Sequence, residues 1–272
     1  MKRGAALGCA VFLSILVGSL AWATDLVEHR AILISNDYEF TVENGVCSGT
    51  GELNDPYVIE NWVIDAGYDE YAIRIHGTTR AFVIRNVEIS GAAKSAIYLS
   101  YVRNARIENC RFDANWTGVT LNYTTLTRVA NSVFTHNTDG IRTYFSSVNQ
   151  ILGNRFEEND TAIWLDASNE NDLIGNYVSD SHMGIYLNLG SQQNDIVDNA
   201  FVENLHHAHT DDPNRWDDGA AGNYWGGFTA IDSEPNGIWD SPFLINSDGD
   251  QDNFPLVTHP LVPAPPPASC DV

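Results

Sequence analysis

The chain has 272 residues, of which 36 are acidic and 14 basic, a formal charge of −22. That imbalance repels nucleic acid and anionic lipid, and it favours solubility and cation binding. Four cysteines are too few for a disulfide-built scaffold of this length.

Residues 1–23 read as a secretory signal. Lys2 and Arg3 carry the charge, Gly8 to Leu20 is apolar, and Ala21-Trp22-Ala23 supplies small residues for cleavage. The apolar run is too short to span a bilayer, and no later segment is long enough. The processed chain keeps 12 basic residues against 36 acidic, a formal charge of −24. It also keeps Cys47, Cys110 and Cys270, so at most one internal disulfide can form, with its partners left open. The expected location is outside the cytoplasm: secreted, periplasmic or at the cell surface.

Residues 24–57 lack the rhythm that follows and are expected to form an N-terminal cap. The segment 58–204 is repetitive. Asparagines recur at Asn61, Asn86, Asn109, Asn131, Asn154, Asn176, Asn199 and Asn223, in steps of 22 to 25 residues. An aliphatic residue stands two places before most of them, as at Ile107 and Val129. An apolar one follows two or three places on, as at Phe112, Phe134 and Phe156. A second row pairs Gly or Ala with a β-branched residue, as in Gly118-Val119, Gly140-Ile141 and Ala162-Ile163.

Short alternating apolar runs separated by Asn, Asp, Gly and Ser are strands joined by tight turns. A three-strand coil of this length cannot bury its own inward face, whereas stacked coils share one continuous core. The sequence therefore predicts an all-β, right-handed parallel β-helix of about seven coils, with strands stacked about 4.8 Å apart. An asparagine at a corner bonds the next amide and tolerates left-handed backbone, whereas stacked aspartates would repel. Asn86, Asn109, Asn131, Asn154, Asn176 and Asn199 are accordingly expected to form one structural ladder. Asn115, Asn137, Asn159 and Asn204 form a second polar row, and Asn104, Asn149, Asn171 and Asn194 a third. Residues 205–258, rich in Trp, His, Asp and Gly, are expected to cap the C-terminal end, and 259–272 to be a Pro-rich tail.

Two motifs carry a resemblance. The segment Asp55-Pro56-Tyr57-Val58-Ile59-Glu60-Asn61-Trp62 and the closing stretches Gly222-Asn223-Tyr224-Trp225, Asn236-Gly237-Ile238-Trp239-Asp240 and Asp252-Asn253-Phe254-Pro255 resemble those of NosD-like proteins. These form the periplasmic copper-binding branch of the right-handed parallel β-helix repeat family. The resemblance implies the fold and an extracytoplasmic setting. It also implies, as one possibility, a metal-handling accessory role with copper. Carbohydrate-binding proteins and polysaccharide-cleaving enzymes populate the wider group, and fold does not settle function.

Four groups of residues are candidates for chemistry. In the strand after the Gly/Ala row, alternation points Tyr98, Arg142, Trp164 and Tyr186 outward, beside Arg74 and Thr120. Aromatic faces beside arginine suit sugar rings and uronate carboxylates. Asp139, Asp160 and His182, one coil apart, resemble part of a polygalacturonase motif, in which paired carboxylates hydrolyse a glycosidic bond. Against that, Asn159 stands where a second aspartate is expected, and Asn137 already belongs to an asparagine row. Asp248, Asp250 and Asp252 offer hard oxygen ligands around Gly249 for a structural calcium. His206, His207 and His209 offer imidazoles for copper or zinc, with no Cys or Met expected nearby.

The preferred reading is a non-catalytic module binding a carbohydrate or an extracytoplasmic protein. The alternatives are a polysaccharide-cleaving enzyme using Asp139 and Asp160, and a copper-handling protein.

Overall fold

A computed structural model describes residues 26–246 and 249–259. The expected signal segment, most of the Pro-rich tail, Cys270 and Asp248 lie outside the described residues. Each coil contributes one strand to each of three sheets, which hold nine, eight and eight strands. The solenoid has about eight turns, close to the seven expected. In the coil from 105 to 122, the strands are Ala105–Glu108, Arg111–Asp113 and Thr117–Asn122. We number their sheets 1, 2 and 3 in that order.

The pairing is parallel and in register between coils, so identical positions stack. On the inside of sheet 2, Ile89, Phe112, Phe134, Phe156, Val178, Phe201 and Trp225 form one column. The rings of Phe112, Phe134 and Phe156 stack 4.7 Å apart, and all three are fully buried. Sheet 1 supplies the column Ile84, Ile107, Val129, Ile151, Leu173 and Ile196. The small residues of the Gly/Ala row follow from this packing. A Cβ on Gly140 would lie 2.5 Å from the Ala162 carbonyl oxygen and 2.7 Å from the Phe156 ring.

The asparagine row expected from the sequence is two rows. Asn61, Asn86, Asn109 and Asn131 adopt left-handed backbone, with φ between 51° and 64°. In the next coils that conformation passes to Gly153, Gly175 and Asp198, and the asparagine moves one residue on. Asn154, Asn176, Asn199 and Asn223 turn inward there and are fully buried. The backbone N–H groups of Asn154, Asn176 and Asn199 each donate to the Oδ1 of the next asparagine at 2.9–3.0 Å. In the earlier coils, Ser132 and Cys110 hold the inward position. The step at the change, 23 residues from Asn131 to Asn154, falls within the 22 to 25 of the whole row and so hides the change of role.

A second ladder, Thr127–Asn149–Asn171–Asn194–Asn214, follows the same rule at the corner between sheets 3 and 1. The third, Asn115–Asn137–Asn159–Ser181–Asn204, lies between sheets 2 and 3.

Both ends extend the coil. Val27–Glu28 and Ile32–Ile34 pair in parallel with strands of the coil that follows, and Val46–Ser48 closes sheet 1 antiparallel to Tyr57–Glu60. Past Asn204, His206–Thr210 joins sheet 3 and Tyr224–Trp225 joins sheet 2. An antiparallel hairpin, Phe243–Leu244 with Gln251–Asp252, then covers the end. Cys47 is exposed and Cys110 buried, and both are free. Burial pushes the Cys110 thiol up to about 12, so it stays protonated and packs as a small apolar group.

Candidate functional site on the outer face of sheet 3

Sheet 3 has the longest strands, six residues in most coils, and so the broadest outer face. Arg74, Tyr98, Thr120, Arg142, Trp164, Tyr186 and His209 are successive Cα partners along it. The column is therefore continuous, and Tyr98, Arg142, Trp164 and Tyr186 all lie in it.

Its two halves differ. Below Thr120 the side chains cover one another. The Arg142 guanidinium lies 3.7 Å from the Trp164 ring centroid, Trp164 meets Tyr186 edge-on, and Tyr186 stacks on His209. At Thr120 the column narrows to a buried hydroxyl bonded to Ser95 Oγ at 2.7 Å. The gap between large neighbours opens a groove of about 380 Å³. Tyr98 and Tyr71 bound it on one side, Arg142 and Tyr144 on the other, and Trp116 flanks it. Trp116 is 59% exposed, an unusual setting for the largest side chain.

Arg142 holds the groove's charge in balance. It bonds Asp139 at 3.2 Å and Asp166 at 3.3 Å, and both carboxylates are nearly buried. Burial raises the Asp139 pKa, Arg142 opposes that rise, and the negative Asp160 adds to it. The arginine is thus engaged by two acids of its own chain and not open to a uronate.

The other candidates are placed as follows. Asp139 stacks on Thr117 and Thr161, whereas Asp160 occupies the neighbouring corner row with Thr138 and His182. Asp160 and His182 are exposed while Asp139 is nearly buried, so the three do not face one cleft as equals.

The three C-terminal histidines diverge. The ring of His206 meets that of His182 edge-on at 5.7 Å, and His209 bonds Asp211. His207 turns inward, with Nε2 at 2.9 Å from the Gly226 carbonyl oxygen and its ring against Trp225 and Phe243. Burial lowers the His207 pKa, against the opposing hydrogen bond to Gly226, and so favours the neutral ring. Met183 is the Cα partner of His206, so a methionine does neighbour His206 in the sheet, contrary to expectation. Among the described residues no three His, Cys, Asp or Glu side chains converge as a metal site.

Two of the expected calcium ligands, Asp250 and Asp252, accept hydrogen bonds from the fold. Asp252 accepts from Asn223 N, Trp225 Nε1 and Phe254 N at 2.7–2.9 Å and is fully buried. Asp250 accepts from Asn214 N and Trp216 Nε1 at 3.3–3.4 Å. Each aspartate therefore receives the last N–H of an asparagine ladder. Every ladder N–H points toward the C-terminal end, so the final one needs an acceptor, and a carboxylate provides it.

Sequence reasoning missed Trp116, Tyr144 and Tyr71. Tyr144 was within reach of the outward parity that gave Arg142, being two residues on. Trp116 sits at a corner, where alternation gives no direction.

A parallel solenoid whose outer sheet carries an aromatic groove is a β-helix repeat protein. The chain belongs to the NosD family, whose model, described as "Periplasmic copper-binding protein (NosD)", matches residues 27–230. No curated protein matches it. Among solved structures, it is similar to one described as the complex of XylC with xylose. The identity there is 15% and the TM-score 0.45, over 57% of this chain and 31% of that one. It is also similar to ORF18 of Geobacillus virus E2, at 12% identity and a TM-score of 0.45, over 62% and 44%. The chain thus spans less than half the length of either, and these likenesses say nothing of activity. No helix among the described residues is long and apolar enough to cross a membrane.

Proposed function

We propose that this NosD-family protein is a non-catalytic, extracytoplasmic module that binds a neutral oligosaccharide in the groove at Thr120. The observation that carries the reading is the gap between Tyr98 and Arg142, walled by Tyr71, Trp116 and Tyr144. Aromatic walls take the apolar faces of sugar rings, and the ion pairs at the base offer hydrogen bonds to hydroxyls. Neutral sugars fit better than uronates because Asp139 and Asp166 already neutralise Arg142. The near burial of Asp139 argues against hydrolysis, since paired-carboxylate chemistry needs both acids at the scissile bond.

Calorimetry with neutral oligosaccharides of increasing length tests it. Trp116→Ala and Tyr98→Ala should each weaken binding about fivefold to tenfold, as expected for loss of one stacking aromatic. Trp164→Ala should cost less, because Arg142 already covers that ring. Failure of the folded protein to bind any neutral glycan would sink the proposal.

A further inference from the structure

A second groove, of about 280 Å³, lies on the outer face of sheet 1, where Arg106, Arg128 and Gln150 are successive Cα partners. Asn104 contributes to its lining, and Leu53 and Leu126 frame it. Arg106 and Arg128 are exposed, as is Arg103, three residues before Arg106. Among the described residues none of the three has an ion pair or a side-chain hydrogen bond, whereas Arg80, Arg85, Arg142, Arg155 and Arg215 each pair with an acid.

This arrangement is unfavourable on its own terms. Like charges directly across a strand pair destabilise it, and the strands are about 4.8 Å apart. Acidic residues outnumber basic ones 36 to 14, so a partner was readily available in composition. Yet the next position in the column is Gln150, and acids appear only further down, at Asp172 and Asp195. Gln150 donates to Asp172, and Asp195 is held by Arg215. Glu108, on the same strand as Arg106, lies beside Arg85 and adds to the field that raises the Arg85 pKa.

We infer that this groove binds an acidic polysaccharide bearing carboxylates. Arg106 and Arg128 repeat at the coil spacing along the rod, which suits a linear polymer carrying one charge per sugar and not a single compact anion. The planar guanidinium pairs with a carboxylate through two parallel hydrogen bonds. Asn104 and Gln150 add amides for hydroxyls. Opposite charge acts here at contact range, well inside the screening length beyond which the chain's net charge is largely lost. This site is on a different sheet from the Thr120 groove and does not depend on it.

The full chain is titrated with oligogalacturonate at low salt, with neutral dextran and dextran sulfate alongside. Binding of oligogalacturonate is expected, weakening as salt is raised. Arg106→Gln with Arg128→Gln should weaken it more than tenfold with a melting temperature equal to or above that of the wild type, and Arg30→Gln, at an exposed arginine that does not line this groove, should leave it intact. Trp116→Ala, on the other groove, should also leave it intact. The inference is overturned by no binding by the wild type, equal loss in Arg30→Gln, binding of dextran sulfate alone, or an unaffected double variant. A dimer that dissociates on Arg106→Gln would likewise overturn it, in favour of a contact between copies.

Discussion

Thr143 sits in a buried column with Leu121 and Leu165, between Leu99 and Leu187, and its hydroxyl has no partner. A buried, unsatisfied polar group costs about 1–3 kcal/mol, while an apolar group of the same shape does not. Thr143→Val should therefore raise stability by about 1 kcal/mol, read as a higher denaturant midpoint with an unchanged slope. Asp252 shows the opposite balance. Both its oxygens accept N–H groups in the core, although burial raises its pKa. Asp252→Asn removes the charge but turns an amide toward a donor, and it should destabilise by about 1–3 kcal/mol. A variant as stable as the wild type would show that the ladder needs no terminal acceptor.

At the scale of one corner, two asparagines of the same sequence row have different jobs. Asn131 is exposed, with φ 51°, and is valued for its backbone. Asn176 is buried: its Oδ1 accepts both N–H and Nδ2–H of Asn154, while its own amide bonds Asn199 and the Ile151 carbonyl. Asn131→Gly should change stability by no more than about 0.5 kcal/mol, since glycine takes left-handed backbone freely. Asn176→Gly strands several buried groups and should cost about 3 kcal/mol or more. Thermal melts of the two variants side by side decide this, and equal effects would mean that one role covers both. The sequence displayed an asparagine period but not which residue faced inward, because a one-residue shift reverses the facing and the spacing barely changes.

Over the whole molecule, two histidines set opposing limits on pH. His136 bonds Asp113 at 2.8 Å, and that bond raises its pKa above the ordinary 6.5. Its stabilising effect is full below 6.5 and is lost as pH rises through the raised folded value. His207 is depressed by burial, so the unfolded chain takes up its proton first, and stability falls as pH drops below 6.5. Melting temperatures across pH should show His207→Gln flattening the acid limb and His136→Gln the neutral-to-alkaline limb. Either variant tracking the wild type throughout would refute that assignment.

The parallel β-helix, the approximate number of its coils (about seven expected, about eight found) and the stacking of its sheet 3 column were readable from the chain. Period and alternation are properties of sequence order, and stacking converts them directly into columns. The C-terminal aspartates and histidines were not readable in this way, because no repeat fixes their direction. In the sequence Asp250 and Asp252 read only as hard oxygen ligands, and it is the fold that brings the last N–H of two ladders against them, from 36 and 29 residues away in the chain. The groove at Thr120 is also a tertiary fact. A threonine among large residues is unremarkable in a sequence, and only stacking coils in register makes its small size into a space.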